Sequence, residues 1–352
     1  MGDVPTIPVP YAQLERFCLE ALSRMGLTAE EITIWSDVLL QSALRSVPGQ
    51  GQGVQRLAEY HGRIRRGEMT PGGDLEIVHA GPAVMLTDAH NGIGAVMATR
   101  AMRLALDLAA SQGIGAVGVR HTTHFGIAAY YAMLALPRDC IGLAFSNAGP
   151  EIAPWGGTRA TVGTNPWAVA VPAGQEWPVV LDMANSTSGK GMIGWYLREG
   201  RRIPWDWALT ADGQRTDDPE QGMAGTLFPL GGAKGYAMAV VVDALTGVLT
   251  GSAFGLTPFA DPRAQDVGHL FIAIDIRQFM PVAEFRRRMD SLIGEIRSSP
   301  LAQGAEAIYL PGELEYRREQ ERLRDGVPIE VGRLDALRAL GQELGLATQL
   351  AV

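Results

Sequence analysis

The sequence predicts an α+β fold, helical at both ends and strand-rich between. Three observations carry this. Residues 10–45 are mostly of helical character, and helical patterns return after residue 281. From Gly115 to Ala184, short apolar runs ("GAVGVRH", "IGLAFSN", "WAVAVPA", "PVVLDMA") alternate with turns. The match to G-x-G-x-x-G, "GIGAVG" at Gly113–Gly118, comes in the order helix, glycines, strand, the reverse of what a doubly wound dinucleotide fold requires. The expected organisation is a helical part over 1–75 that packs with 285–352, and a β-rich part over 76–284.

The elements follow in order. A helix opens at Tyr11. "TAEEITIWSDVLLQSALR" opens the next, with Thr28 as N-cap and Glu31 three residues on, a capping box. After a glycine- and glutamine-rich loop, "VQRLAEYHGRIRRG" reads as a third helix ending at Gly67. "LEIVHAGPAVMLTDAHNG" gives two short strands around Gly81-Pro82. "GAVMATRAMRLALDLAASQG" is a strongly periodic helix closed by Gly113. "FGIAAYYAMLAL" reads as a helix within the strand-rich middle. "YAMAVVVDALTGVLTG" is apolar nearly all round and is expected to be buried. "HLFIAIDI" reads as a strand, and "PVAEFRRRMDSLIGEIRSS" as an amphipathic helix. The tail holds a charged segment, "ELEYRREQERLRDG", and a last helix near 333–345.

Composition removes several function classes. The net charge of −8 disfavours nucleic acid, which needs a basic footprint. The short run Arg63, Arg65, Arg66 reads as a solvated helix face. No stretch is apolar over the ~18 residues a membrane span needs, and the start has neither a secretory nor a myristoylation pattern. Two cysteines, Cys18 and Cys140, are too few for a disulfide scaffold or a zinc site, so a reducing cytoplasm is expected. With 43 glycines spread along 352 residues, tight turns and close backbone approaches are expected throughout.

Several motifs carry chemistry. "ANSTSGKG" misses the phosphate-binding P-loop, because Gly191 stands where a hydroxyl must meet magnesium. "LGGAKGYAM" sets two glycines and Lys234 before a helix. There the unpaired amides and a full charge suit an anion, with a plain loop lysine as the equal alternative. "RHTTHFG" puts His121 and His124 at a strand end. No third ligand is evident, so a hydrogen bond to a bound ligand is a better reading than a metal. "GTNPWAV" offers Thr164 and Asn165 on a turn, and "LDMANSTSG" ends a strand with Asp182, well placed for ribose hydroxyls. No G-x-S-x-G elbow or Cys–His signature supports nucleophilic hydrolysis.

In order, "ALRSV…GVQRL", "GIGAVGVRHTTHFGIAAYY", "APWGG…VGTNPWAVAVP", "LDMANSTS", "WALTADGQRTDDP", "PLGGAKGYAMAVVVDALTGVLTG" and "YLPGELEYRRE" resemble the non-Rossmann malate/L-lactate dehydrogenase family. Its relatives include ureidoglycolate and sulfolactate dehydrogenases, diketogulonate reductase and the piperideine-2-carboxylate/pyrroline-2-carboxylate reductases. The resemblance covers nearly the whole chain. It implies a largely antiparallel central sheet and NADH- or NADPH-dependent chemistry at a carbon beside a carboxylate. It also implies a small carboxylate substrate and an interlocked homodimer. By the same resemblance His124, Phe125 and Gly126 line the nicotinamide and substrate, and Asp182, Met183 and Ala184 hold the cofactor. Lys234 and Gly235 meet its phosphates, and Gly312 and Glu313 close over it. Arg56 pairs the substrate carboxylate, a task suited to a guanidinium fork, and Thr164 touches substrate.

The chain departs from the family at one decisive place. Relatives read Leu-Arg-Gly-Val-Asp-Ser-His-Gly-Val-x-Arg-Leu, where the histidine donates a proton. Here "LRSVPGQGQGVQRL" puts Gly51 in the serine slot and Gln52 in the histidine slot. Two later positions also differ, with Met192 and Thr210 where relatives often carry charged residues. Glutamine donates hydrogen bonds but does not give up a proton at neutral pH. A protonated imine brings its own proton, so an imine carboxylate is the favoured substrate class from sequence. The alternatives are a conventional 2-hydroxy acid dehydrogenase with another donor such as His124, and a nucleotide-binding paralogue without catalysis.

Overall fold

The computed structural model describes residues 5–46, 53–261 and 263–350. Strand β1 (Thr6–Val9) leads into α1 (Tyr11–Ser23) and α2 (Ala29–Arg45). The capping box is present: Glu31 N donates to Thr28 Oγ1 at 3.3 Å and Thr28 N to Glu31 Oε2 at 2.8 Å. A 3₁₀ turn at Val54–Arg56 opens α3 (Leu57–Arg65). Then come β2 (Glu76–Ala80), β3 (Val84–Asp88), α4 (Gly94–Gln112) and β4 (Ile114–Thr122). Gly113 ends α4 at φ 84°, a conformation glycine adopts at no steric cost. At Gly115 a Cβ would lie 2.1 Å from Ala105 O, so glycine lets α4 lie directly on β4. Helix, glycines and strand therefore follow one another as the sequence indicates, and the glycines serve packing.

The middle of the chain contributes α5 (Ala128–Met133), β5 (Cys140–Ser146), β6 (Trp167–Val171) and β7 (Val179–Met183). A smaller lobe holds α6 (Lys190–Arg198), β8 (Ala208–Leu209), β9 (Arg215–Thr216), α7 (Pro219–Ala224) and β10 (Thr226–Leu227). Next come α8 (Ala233–Asp243), which continues through a π turn at Ala244–Val248, and β11 (Val267–Asp275). The chain finishes with α9 (Val282–Arg297), α10 (Glu313–Asp325), β12 (Val327–Glu330) and α11 (Val331–Leu344).

The main sheet runs β2-β3-β4-β11-β5-β6-β7. Only β3 and β4 pair in parallel; every other neighbour is antiparallel. The fold is thus a mixed α/β arrangement around a largely antiparallel sheet. Strand β11, "VGHLFIAID", lies at its centre and is buried along most of its length. That explains a near-continuous apolar run in place of alternation.

The chain's two ends meet. β1 pairs with β12, α11 lies against α1 and α3, and α10 lies along α2. Arg322 of α10 is buried and donates from Nη1 to Ala43 O at 2.6 Å, Leu44 O at 3.2 Å and Ser46 O at 2.8 Å. It thereby satisfies carbonyls that the C-terminus of α2 leaves open. The charged tail segment is a helix for this reason: its arginines find carbonyl and carboxylate partners that its low hydrophobicity does not advertise. α9 docks elsewhere, its Asp290 carboxylate accepting from the amides of Gly174, Gln175 and Glu176.

One expectation is corrected. The helix "YAMAVVVDALTGVLTG" is not buried all round. It turns Gly235, Ala239, Val242 and Asp243 inward, but Val241, Val248 and Leu249 are 53%, 57% and 65% exposed. Its hydrophobicity on every side therefore leaves one apolar face packed within the chain and another exposed.

Candidate active site

His124 follows the end of β4, where the chain turns toward α5. The backbone of His124 is pinned by its amide, which donates to Gln265 Oε1 at 2.8 Å. Its half-buried imidazole lies between two side chains from the start of α3. Nε2 faces Arg56 Nη1 at 3.4 Å, and Nδ1 faces the Tyr60 hydroxyl at 3.0 Å. Arg56 and Tyr60 are four residues apart, so helical spacing puts both on one face. Tyr60 is 2% exposed and packs on Trp35, with ring centroids 5.2 Å apart. The Arg56 guanidinium lies over the Tyr60 ring at 5.2 Å and donates from Nε and Nη2 to the Glu59 carboxylate at 2.9 and 2.7 Å.

Burial, followed by the charges of Arg56, Arg63 and His269, holds the His124 imidazole well below the usual histidine range. It is therefore neutral at ordinary pH. His269, fully buried with Nδ1 on Ser146 Oγ at 3.0 Å, is pushed down to about 3 by burial. Neither imidazole is charged near neutrality. Phe125 is stacked between Tyr131 and His269, with centroids 4.8 and 4.5 Å away, so its ring belongs to the core and only its backbone is available to a ligand. Gly126 turns at φ 93° between Phe125 and α5.

A chain of short contacts links this corner to the remaining candidate residues. Ala129 N, on α5, donates to Asp182 Oδ2 at 2.9 Å. Asp182 ends β7, and dense protein surroundings push its carboxyl up to about 6 although the side chain reaches solvent. Two strand positions back, Val180 N donates to Pro311 O at 2.9 Å, and Gly312 lies so close that a Cβ would meet Val180 O at 2.8 Å. Gly312 is at φ 86°. Glu313 is largely buried and held by Arg317, Arg297 and the Leu310 amide, which keep its carboxyl below the usual range against the opposing effect of burial.

Beyond Ala184, Asn185 ties β7 to the neighbouring loop and to α8. Its Nδ2 donates to Thr164 O and Asn165 O, and its own carbonyl accepts from Leu230 N at 2.9 Å. Asn165, at φ 43°, donates to Ala239 O of α8 at 2.8 Å and accepts from Ala148 N at 3.0 Å. The Thr164–Asn165 turn, the end of β7 and α8 are thus tied together through Asn165 and Asn185.

At the start of α8, Gly231 and Gly232 have φ of 61° and 69°, and Lys234 is exposed. A Cβ on Gly235 would lie 2.4 Å from Leu230 O and 2.7 Å from Asn185 O. The Gly235 amide is taken by Leu230 O at 2.8 Å, so an anion would meet the other first-turn amides beside the Lys234 ammonium, with Asp182 near the end of β7. Beside them, the Ser186 hydroxyl is buried and has no hydrogen-bond partner among the described residues. This donor set fits a dinucleotide: carboxylate for ribose hydroxyls, amides and ammonium for phosphates.

Gln52 and Gly51, the departures from the family pattern, lie outside the described residues. His121 does not share partners with His124: its Nδ1 faces Asp88 at 2.9 Å, beside Arg120. It borders a recess of about 590 Å³ with Asn91, Ser252 and Asp266, and none of the residues singled out for cofactor or substrate lines that recess. Sequence reasoning passed over Tyr60, Glu59 and Gln265. Tyr60 carried a usable signal, four residues after an arginine already singled out. Gln265 carried none, because its partner is 141 positions away.

Residues 9–338 match the model of the family described as malate/L-lactate dehydrogenase. The chain belongs to that family, and is an NAD(P)-dependent oxidoreductase. It is 35% identical to a malate dehydrogenase of Pyrococcus abyssi, over 98% of this chain and 97% of the relative. It is 36% identical to the L-sulfolactate dehydrogenase of Methanocaldococcus jannaschii, over 94% and 96% of the two chains. The solved structure of sulfolactate dehydrogenase from that organism superposes with a TM-score of 0.90 at 34% identity, covering 97% and 98%. A Δ1-piperideine-2-carboxylate reductase from Pseudomonas syringae superposes at 0.83 with 25% identity, covering 95% and 100%. No helix of the described residues is long and apolar enough to cross a membrane.

Proposed function

We propose that this chain oxidises a small 2-hydroxy acid at the carbon beside the carboxylate, with His124 Nε2 as the base. The observation that carries this is the imidazole held neutral between Arg56 and Tyr60. A neutral imidazole is loaded to accept a proton and is empty as a donor. The Arg56 guanidinium supplies the charge for the carboxylate, exchanging Glu59 for substrate. Asp182, Lys234, Gly235 and the backbone near Gly312 hold the dinucleotide, which when bound takes up hydride from the substrate carbon. Thr164 and the residues after Asp182 border the same space.

Imine carboxylate reduction is the second reading. It rests on Gln52 in the family's histidine slot, and the similarity to the piperideine-2-carboxylate reductase is consistent with it. Both chemistries start from a neutral His124, whereas reduction of a 2-oxo acid starts from the protonated imidazole, which burial and the neighbouring arginines disfavour. A second copy of the chain is proposed to cover the exposed face of α8, as the family resemblance implies. A cytoplasmic location suits the buried free thiols of Cys18 and Cys140.

The test uses purified protein with NAD+, NADP+ and their reduced forms. Malate, lactate, sulfolactate and ureidoglycolate oxidation is compared with piperideine-2-carboxylate reduction. Oxidation of one hydroxy acid that stays flat from pH 6 upward and drops ~10²–10⁴-fold in His124→Ala supports the first reading. Imine turnover alone, unaffected by His124→Ala, establishes the second. Tryptophan quenching by NADPH with no turnover on any substrate leaves only a nucleotide-binding paralogue.

A further inference from the structure

The Tyr60 hydroxyl touches the imidazole edge opposite Arg56, and nothing in the reading above uses it. Arg56 is a donor only, so the Nε2 edge facing it carries a lone pair. A neutral imidazole then bears its proton on Nδ1, and at 3.0 Å that proton is donated to the Tyr60 oxygen. Resting on His124 as the base, we propose that Tyr60 is the positioning residue that fixes His124 as the Nδ1–H tautomer, so that its Nε2 lone pair receives the substrate hydroxyl once the Arg56 guanidinium turns from that edge to the substrate carboxylate.

The surroundings suit this role. Tyr60 is wedged against Trp35 and under Arg56, so its oxygen cannot swing away without disturbing both. The imidazole itself is fixed at its backbone by Gln265. Arg56 and Arg63 from the α3 side and His269 from β11 all act against a charged imidazole. Among the described residues, Tyr60 is the side chain that hydrogen-bonds the Nδ1 edge. In the oxidation, the substrate O–H proton moves to Nε2, hydride leaves the same carbinol carbon for the oxidised nicotinamide, and a C=O bond forms. His124 then holds two N–H bonds, and the one at Nδ1 still ends on Tyr60. A hydroxyl suits that edge better than a carboxylate would. It accepts without adding a fixed charge, so it does not raise the basicity of His124 enough to keep the imidazole protonated at rest.

The test begins without a variant. In protein labelled with 15N-histidine, six imidazoles are present, and His124→Ala assigns the signal of interest by its loss. A pyrrole-like Nδ1 and a pyridine-like Nε2 for His124 are expected across pH 6–8. The reverse assignment overturns the proposal. Tyr60→Phe keeps the ring and removes only the oxygen. It is expected to lower kcat for hydroxy acid oxidation about 10- to 100-fold, the size of loss known for partners that orient metal-bound imidazoles. KM for the nicotinamide should stay within about twofold, and the Nδ1–H signature should weaken. Unchanged kcat and an unchanged 15N pattern in Tyr60→Phe would overturn the positioning role even while His124→Ala is inactive. Full activity in His124→Ala would instead remove the reading of His124 on which it rests.

Discussion

Asp182→Asn should weaken cofactor binding and remove its pH dependence. Asp182 accepts from Ala129 N with one oxygen, which leaves its other oxygen for a ribose hydroxyl. A hydrogen bond to a charged group contributes about 1.5–3 kcal/mol and a neutral one about 0.5–1.5. The amide keeps an acceptor oxygen but loses the charge, so the cost is about 1–1.5 kcal/mol, roughly 5- to 10-fold in Kd. Asp182→Ala should lose more and also leave the Ala129 amide unpaired. The sign of the pH effect follows from the raised carboxyl at about 6. Above that value the carboxylate is present and binding is full. As pH falls through it the group takes up a proton, ceases to be a pure acceptor, and affinity drops. Protein stability responds in the opposite sense: a native carboxyl raised above its unfolded value favours the folded state at low pH, and that contribution fades as pH rises through about 6. Fluorescence titration with NADH and NADPH from pH 5 to 8 reads the binding. An Asn variant that binds as tightly as the parent at pH 8, or keeps the parent's slope near pH 6, refutes the role of this carboxylate.

Arg322→Ala should destabilise the chain by about 2–4 kcal/mol, because three carbonyls at the end of α2 lose a charged donor. Urea unfolding measures this, and a change under about 0.5 kcal/mol would show that water replaces the arginine. Leu249→Asp, on the exposed face of α8, should convert a dimer to monomers in light scattering without unfolding the chain. A parent protein already monomeric at high concentration would contradict the covered face. Gly235→Ala should lower stability by about 1–3 kcal/mol and weaken cofactor binding as well, because the added Cβ pushes the start of α8 away from Leu230 and Asn185. Parallel titration and thermal unfolding separate the two effects.

Much of the fold was legible because local patterns and tertiary demands agree. The Thr28–Glu31 cap, the Gly113 stop and the apolar run of β11 all form as their residues suggest. Where the two part, the cause is a partner distant in sequence. α10 has little hydrophobicity of its own, and its helix is secured by contacts with α2 some 275 positions earlier. α8 looked like a core helix because a pattern records how much surface is apolar, not which of it the fold buries. Tyr60 drew no notice in the sequence, because its hydroxyl meets a residue 64 positions away.

The active site divides along the same line. Residue order and identity determined the family, the anion-friendly start of α8, the Asp182 strand end, and the glutamine that stands where relatives keep a histidine. They placed His124 at the centre but left its proton open, and weighed Gln52 more heavily. Only the tertiary structure buries His124 beside cations that disfavour its charged form, with Arg56 on one ring edge and Tyr60 on the other. Proton affinity and tautomer depend on burial, on the charges of Arg56 and Arg63 and on the hydroxyl of Tyr60, which separate stretches of chain bring to His124.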